Sequence, residues 1–335
     1  MNNWLRVLAR YSLSLLFLVV ATNVSAAPQK RVLVVHSYHQ SQQGHVVEMT
    51  EGIEEALSGL GIQVKYYHMD TKRKTSEEWK REAGAQAKAI VTNFKPELVI
   101  TMDDNAQKYF AKDYAAIPGA PVFVFSGVNK DPKIYGFPAK NVTGVLERPN
   151  IIESLEFLKK IVPDAKNILM LSDKSPTTDG FIEYAKSLVM PLNVVAYEQV
   201  ETFEQWRAVA EKYKDKVDAI GLYVIRTIAR HEGMPEKVPE TELIAYINKH
   251  TKLPTVGFFD SSAQAGILCG ISVSMKEQGY AAGELAKGIL AGNSPDSFAV
   301  KPTSKGRIQL NLNTAEYLNI NLKHSLIKRA DILVR

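Results

Sequence analysis

Residues 30–37 read Lys-Arg-Val-Leu-Val-Val-His-Ser, an aliphatic run that ends in polar residues. Because consecutive residues in this run are apolar, a strand formed by it would bury both of its faces. That is typical of a parallel sheet covered by helices. The next segment, from Val46 to Leu57, has apolar residues at helical spacing. The stretch therefore predicts a strand over 31–36 that opens an α/β domain.

Strand-like and helix-like segments alternate along the chain after this strand, in two sets of similar size. The alternation implies parallel strands with helices on both faces, so two doubly wound lobes are expected. The predicted strands are 31–36, 62–68, 98–102 and 122–125, then 168–171, 194–200, 219–224 and 255–259. The predicted helices are 46–57, 77–91 and 106–114, then 150–161, 179–189, 203–213 and 240–250.

The segment after Phe259 departs from this pattern, and its length predicts a return to the first lobe and a further crossing. The predicted elements are strands at 270–274, 299–300 and 307–312, a helix at 278–291 and a short helix at 314–318. We therefore assign residues 27–145 and 275–302 to lobe 1, and residues 146–274 and 303–335 to lobe 2. The extended segment 141–148 is the expected first crossing.

The amino terminus has the pattern of a secretory signal peptide. Arg6 and Arg10 precede a short apolar run, 11–21, and small residues at Val24-Ser25-Ala26 form a cleavage site. The apolar run is too short to span a bilayer, and no later segment approaches the required length. Residues 1–26 are therefore expected to be removed, and the mature protein is expected in the periplasm.

Charge and cysteine content exclude several classes of protein. The formal net charge is +5 and falls to about +3 without the leader, which is too little to indicate a nucleic-acid or lipid partner. The single cysteine, Cys269, lies in an apolar stretch and predicts a buried, inert thiol without a disulfide. A monomer with a small-molecule ligand and no nucleic-acid partner is expected.

Ligands of doubly wound sheets bind in the loops at the carboxyl ends of the strands. In this chain those loops are rich in hydroxyls, amides and charges, as a small polar ligand requires. One further candidate, an acidic residue, lies in the expected crossing. The predicted ligand-binding residues are Ser37, Tyr38, Asp103, Asn105, Ser126, Asn129, Glu147, Arg226 and Asp260.

The charges among these residues indicate a type of ligand. The guanidinium of Arg226 suits a carboxylate, although a structural ion pair or a solvated loop is an equal alternative. Asp103, Asp104 and Asp260 suit an ammonium group, so an amino-acid-like zwitterion would use both kinds of charge. One of the two adjacent aspartates is also expected to cap the following helix. Tyr38 would stack on a ligand ring or cover the cleft.

Catalytic motifs are absent from the sequence: it has no G-x-S-x-G elbow, phosphate-binding loop or H-E-x-x-H pattern. His36, His39 and His45 lie near one strand end, but their spacing matches no ligand pattern for zinc. The sequence therefore predicts a protein without a cofactor or metal and without enzymatic activity.

Three blocks of sequence resemble ABC transporter substrate-binding proteins with the type I periplasmic binding protein fold. The blocks are 121–129 with 141–145 and 161–166, then 266–270 with 277–282 and 289–292, and finally 311–320 with 325–331. Within that family the chain resembles the branch that includes proposed aromatic amino-acid binding proteins. The resemblance implies two lobes joined by three crossings, closure on a ligand by a hinge motion, and delivery to an ABC permease in the inner membrane.

Two features depart from the transporter pattern. Arg226-Thr227 stands where many members have an acidic residue and asparagine. Residues 36–40 and 266–270 resemble a sister group of extracytoplasmic sensor domains that work with membrane kinases and cyclases. The alternative function is therefore a ligand-sensing periplasmic protein that signals to a membrane histidine kinase or cyclase.

Overall fold

The computed structural model describes residues 29–40, 44–234, 236–303 and 305–335. The predicted leader, residues 1–26, lies outside the described residues. Within those ranges, no helix combines the length and the apolar character that a membrane span needs. The described chain forms two β-sheets with helices packed on them.

The elements follow one another in the predicted alternation. The strands are β1 (Arg31–His36), β2 (Gln63–His68), β3 (Leu98–Met102), β4 (Val122–Val128), β5 (Val142–Leu146), β6 (Asn167–Asp173), β7 (Asn193–Val200), β8 (Ala219–Leu222), β9 (Thr255–Gly257), β10 (Cys269–Val273), β11 (Lys301–Pro302), β12 (Gly306–Asn311) and β13 (Ile332–Val334). The helices are α1 (His45–Leu57), α2 (Glu77–Phe94), α3 (Asp103–Tyr109), α4 (Ile151–Ile161), α5 (Pro176–Lys186), α6 (Phe203–Tyr213), α7 (Glu240–Thr251), α8 (Met275–Leu290), α9 (Leu312–Tyr317) and α10 (His324–Ile327). Short 3-10 helices lie at Ala111–Tyr114, Pro132–Tyr135 and Pro295–Ser297.

The first sheet has the strand order β11-β5-β4-β3-β1-β2, and the second has the order β13-β12-β10-β9-β8-β6-β7. Strand β1 pairs in parallel with β2 and β3, and its residues from Val32 to Val35 are fully buried. Each sheet separates two apolar clusters, one on each face. The predicted class, two doubly wound parallel-sheet lobes joined by three segments, is confirmed. Among the strands that the structure describes, β10 and β12 pair in antiparallel orientation.

The chain passes between the lobes at three places. Residues 147–150 lead from β5 to α4, Ser274 leads from β10 to α8, and the third passage follows β11. Helix α8 packs against α1 of the first lobe. A Cβ atom at Gly52 would collide with the backbone of Lys276, so glycine is what lets these helices approach closely.

Two sequence predictions of local structure are wrong. The segment 141–148 is expected to be a crossing, but residues 142–146 pair with β4 as strand β5, so the crossing begins after Leu146. The strand predicted at 299–300 lies instead at Lys301–Pro302, beside β5. Strand β13 escapes prediction because three residues are too few to show a periodicity.

Candidate functional site

A cleft of about 530 Å³ lies between the lobes, beside the carboxyl ends of β5, β8 and β10. Its volume is within the usual range of small-molecule sites. Four of the nine predicted ligand-binding residues line it, and they come from both lobes and the first crossing. These are Asn129, Glu147, Arg226 and Asp260.

Two half-buried rings from the second lobe, Tyr223 and Phe259, form an aromatic wall in this cleft. Tyr223 directly follows β8 and stacks on Phe181, with ring centroids 3.7 Å apart and planes 10° apart. Its centroid is 5.1 Å from that of Phe259. Burial and the nearby carboxylate of Glu147 raise the pKa of Tyr223 to about 12. The wall therefore offers neutral aromatic surface to a ligand.

The guanidinium of Arg226 lies at the mouth of the cleft, where 60% of the side chain is exposed. Its Nε donates to Oε1 of Glu240 at 2.7 Å, and its Cζ is 5.7 Å from the ring centroid of Phe259. The predicted ion pair is therefore present, and the residue also lines the cleft, where its contact with a ligand carboxylate is still a prediction. Because the ion pair uses Nε, the two terminal nitrogens are available to the acceptors of a ligand.

Asp260 lines the cleft, but its carboxylate already has partners. Nη1 of Arg307 donates to Oδ2 at 2.7 Å, and the hydroxyl of Ser272 donates to Oδ1. Both partners come from strands that border the lobe crossings, β12 and β10. The paired carboxylate is poorly suited to compensate an ammonium group, so these contacts favour a structural role for Asp260 over the predicted one.

Glu147, the acidic residue of the first crossing, has an unusual environment. Its Oε2 is buried and has no hydrogen-bond partner among the described residues. Burial raises the pKa of Glu147 to about 7, and the negative charges of Asp103 and Asp104 act in the same direction. His45 and the side chain of Asn129 partly oppose this effect. The cleft therefore contains a carboxyl group that is close to its titration midpoint at neutral pH.

Asp103 and His45 form a second charged group near Glu147. Nε2 of His45 lies 2.8 Å from Oδ1 of Asp103, whose side chain is only 4% exposed. Oδ2 of Asp103 is buried without a partner, and the residue has a φ of +65°. Burial raises the pKa of Asp103, and the bond to Asp103 raises the pKa of His45 despite its own burial. Strained backbone of this kind is common at binding sites.

Tyr38 lies over this pair, with its ring centroid 5.5 Å from that of His45. Nζ of Lys72 lies 5.1 Å from the centroid of the same ring. Burial raises the pKa of Tyr38, and the carboxylates of Asp103 and Glu147 add to the effect. Tyr38 thus lies close to the charged groups around Glu147, but it is not among the residues that line the cleft, and its contact with a ligand is still a prediction.

Three predicted ligand residues use their polar groups inside the protein. The buried hydroxyl of Ser37 donates to the carbonyl oxygen of Met102 at 2.7 Å and accepts from the amide of Ala106 at 2.8 Å. Nδ2 of Asn105 donates to the hydroxyl of Thr71. The buried hydroxyl of Ser126 bonds to Gln278 in α8. A ligand role for the three is still a prediction, which these contacts do not favour.

The expectation that Asp103 or Asp104 caps the following helix is wrong. Both residues lie within α3, and the residue that precedes the helix, Met102, makes no side-chain cap. The carboxylate of Asp104 instead accepts from the amides of Asn129 and Lys130, and from the hydroxyl of Tyr135 at 2.8 Å. The hydroxyl of Ser37, directly after β1, instead accepts from the amide of Ala106 in the first turns of α3.

The three histidines near β1 do not converge on one point. His36 stacks on His68 and bonds to Thr50, and burial lowers its pKa to about 3. His45 bonds instead to Asp103. In the described part of the chain, no group of three histidine, cysteine or acidic side chains is placed to hold a metal ion. Cys269 is buried, and burial raises its pKa.

Sequence reasoning missed several residues of the site. The sequence predicts Tyr223 and Phe259 within the strands 219–224 and 255–259. In the structure β8 ends one residue before Tyr223 and β9 ends two residues before Phe259, so both rings lie in loops at the cleft. The sequence pattern suggests His45 only as a possible zinc ligand, whereas the structure pairs it with Asp103. The aromatic residue immediately after a buried apolar strand is the signal that points to Tyr223.

Comparisons with known proteins show the family of the chain. The family described as "ABC transporter substrate binding protein" matches residues 41–334. The "Tyrosine-binding protein" of Clostridioides difficile is 24% identical over 188 residues, which cover 55% of this chain and 51% of that protein. The alignment therefore spans about half the length of this curated relative.

Solved structures are similar over most of the chain. The ABC domain from Streptococcus pneumoniae in complex with L-Trp is 20% identical with a TM-score of 0.51, and the match covers 91% of this chain and 100% of that one. The ligand-free, open structure of a substrate-binding protein with adhesive properties from Clostridium difficile is 17% identical with a TM-score of 0.66, and the match covers 91% and 99%. At these identities the likeness shows the fold alone.

Proposed function

We propose that this chain, which belongs to the ABC transporter substrate-binding protein family, captures an amino acid between its two lobes for delivery to an ABC permease. Its two parallel-sheet lobes have the type I periplasmic binding protein fold. The observation that carries the choice of ligand is the composition of the cleft. It combines the guanidinium of Arg226, the carboxyl of Glu147, whose Oε2 has no hydrogen-bond partner in the described structure, and the aromatic wall of Tyr223 and Phe259.

Each part of an amino acid has a counterpart in the cleft. The carboxylate would accept two parallel hydrogen bonds from the terminal nitrogens of Arg226. The ammonium group would donate to the buried oxygens of Glu147 and Asp103 that have no partner in the described structure. A large apolar side chain would pack on Tyr223 and Phe259. The relatives named for tyrosine and crystallised with L-Trp support an aromatic side chain.

Lobe closure would complete the site, because its two charged halves lie on different lobes. Arg226 and the aromatic wall lie in loops that follow strands of the second sheet, whereas Asp103 and Tyr38 follow strands of the first. Glu147 lies in the first crossing, directly after β5. A ligand that contacts both halves binds the closed state more tightly than the open one, and this difference shifts the population toward closure.

The family is a solute-binding family rather than an enzymatic one, and its substrate-binding proteins are extracytoplasmic. We propose that residues 1–26 direct export to the periplasm, that the mature chain acts as a monomer, and that its partner is an inner-membrane permease. We further propose the predicted lobe boundaries, 27–145 with 275–302 and 146–274 with 303–335, with the first one moved to follow Leu146 because this residue pairs with Val128 in the first sheet.

Thermal denaturation with a panel of ligands tests the proposal. The panel comprises L-tyrosine, L-tryptophan, L-phenylalanine, L-leucine, L-alanine and tyramine, which lacks the carboxylate. A true ligand at one hundred times its Kd should stabilise the protein by about 2.7 kcal/mol. We expect the aromatic amino acids to stabilise it most, and tyramine to lose most of the effect. If no member of the panel raises the Tm, the proposed ligand class is wrong.

A further inference from the structure

We propose that capture of the ligand is coupled to the release of one proton from Glu147, so that binding strengthens as the pH rises. The inference rests on the proposed function and concerns the same cleft. It assigns Glu147 a specific task, which is to select a ligand with an ammonium group over one without it.

The geometry of Glu147 is the starting point. Its carboxyl lines the cleft, and Oε2 is buried without a hydrogen-bond partner in the described structure. A buried, unpaired carboxylate is unfavourable, whereas the protonated acid carries no charge to compensate. The empty cleft therefore favours the neutral acid.

The neighbouring Arg148 does not neutralise Glu147. Its Nη1 donates to the carbonyl oxygens of Val128 at 2.9 Å and of Glu147 at 2.7 Å, so the guanidinium is directed to the backbone. Its Cζ also lies 5.8 Å from the ring centroid of Tyr184 in the second lobe. The nearest basic residue in sequence therefore leaves the carboxyl of Glu147 uncompensated.

The other groups that face Glu147 add more negative than positive charge. They are Asp103 and Asp104 from α3, His45 from α1, Tyr38 after β1, Asn129 after β4 and Tyr223 after β8. Arg226 also lines the cleft, but its Nε is paired with Glu240, and it is not among the groups that shift the pKa of Glu147. His45 bonds to Asp103 and so compensates that carboxylate first. Lys72 acts on the same pair. Glu147 is therefore the acidic group of the cleft whose charge is least compensated by basic neighbours. A cation that enters the cleft would interact with it most strongly.

An ammonium group changes the preferred state of this carboxyl. Below about pH 7, Glu147 in the empty cleft holds a proton on its carboxyl. In the complex the carboxylate accepts a hydrogen bond from the ammonium, and the proton goes to solvent. No covalent bond of the ligand changes. Deprotonation of His45 at higher pH would remove the positive charge that compensates Asp103 and make the site more negative, so it would also strengthen the binding of an ammonium group. A ligand without an ammonium group has no means of displacing the proton.

Titration calorimetry with L-tryptophan tests the coupling in the full-length mature protein. Measurements run from pH 5.5 to pH 8, each in two buffers with different ionisation enthalpies, because the difference reports the protons released. The amino acid itself does not titrate in this range. With a pKa of Glu147 of about 7, we expect the Kd to fall about 30-fold between pH 5.5 and pH 8. We also expect about one proton to be released per ligand at the acidic end.

Three comparisons isolate Glu147. Glu147→Gln preserves the shape of the side chain and removes the titration, so its Kd should be nearly independent of pH. Asp260→Asn alters a cleft carboxyl that Arg307 already compensates, so the pH dependence should persist whatever the change in affinity. Indole-3-propionate lacks the ammonium group, and any binding that it shows should release no proton.

The outcomes separate the inference from the proposed function. If neither L-tryptophan nor the rest of the panel binds at any pH, the proposed function fails and the inference falls with it. If ligand binds with a Kd that does not depend on pH, or if Glu147→Gln retains the slope of the unchanged protein, only the inference is overturned. Carbon-detected NMR titration of the empty protein is a second test that needs no variant. A Glu147 carboxyl that titrates below pH 5 would overturn the inference.

Discussion

Replacing Glu147 by glutamine should stabilise the empty protein, and the gain should grow as the pH rises. Burial raises the pKa of this carboxyl from 4.5 to about 7 in the folded state. Between these values the folded protein binds more protons than the unfolded chain, so the free energy of unfolding falls as the pH increases. The destabilisation is absent well below pH 4.5 and complete above about pH 7.

The magnitude follows from the linkage relation. A difference between 4.5 and about 7, at 1.36 kcal/mol per pKa unit, corresponds to about 3 kcal/mol in full. About 2.5 kcal/mol of this should develop between pH 5 and pH 8. The other titratable groups are present in both proteins, so their contributions largely cancel when the variant and the parent are subtracted at each pH.

Urea denaturation of the two proteins at pH 5, 6, 7 and 8 measures this difference. The matched control is Glu156→Gln, which alters an exposed glutamate of α4 and should give a difference that does not change with pH. If the difference between Glu147→Gln and the parent stays constant from pH 5 to pH 8, then Glu147 is not the uncompensated buried acid that the structure shows.

Three further predictions concern other parts of the molecule. Arg226→Ala should weaken the binding of an amino acid by roughly 10- to 100-fold, because a charge-assisted hydrogen bond contributes about 1.5–3 kcal/mol. The Tm of the empty protein should change little, since the exposed ion pair between Arg226 and Glu240 adds little stability. Calorimetry and thermal denaturation check the two parts, and a large loss of Tm with unchanged binding would contradict the assignment. Gln278→Ala should lower the free energy of unfolding, measured by urea denaturation, by roughly 2–4 kcal/mol, because this buried amide bonds to Ser126 and to the carbonyl oxygen of Leu146. A loss below about 1 kcal/mol would refute its structural role. Cys269 should react with a thiol reagent only after denaturation, because it is fully buried and its pKa is raised; rapid labelling of the folded protein would contradict this.

The fold was accessible from the sequence because its signals are local. Strands β1 and β3 and helix α6 have the predicted bounds, since the apolar periodicity of each is complete within its own residues. Errors concentrate where a tertiary contact decides the structure. Residues 142–146 look like a linker in isolation and become a strand because β4 offers them a parallel partner.

The candidate site was accessible only in part. Polar residues after strands mark the correct edge of each sheet, and Asn129, Glu147 and Arg226 line the cleft. The sequence does not show whether such a polar side chain points into the cleft or into the protein. Ser126 turns inward because Gln278, 152 residues away in the chain, brings an acceptor to it. No local pattern contains that information.

The sequence by itself determined the alternation of strands and helices, the two lobes and the type of loop in which a ligand would bind. These properties follow from hydrophobic periodicity, which each segment carries alone. Only the tertiary structure decided which charges are compensated. It paired Asp260 with Arg307 and left the buried oxygens of Glu147 and Asp103 without a partner in the described structure. The physical reason is that the energy of a charge depends on burial and on neighbours that are distant in sequence.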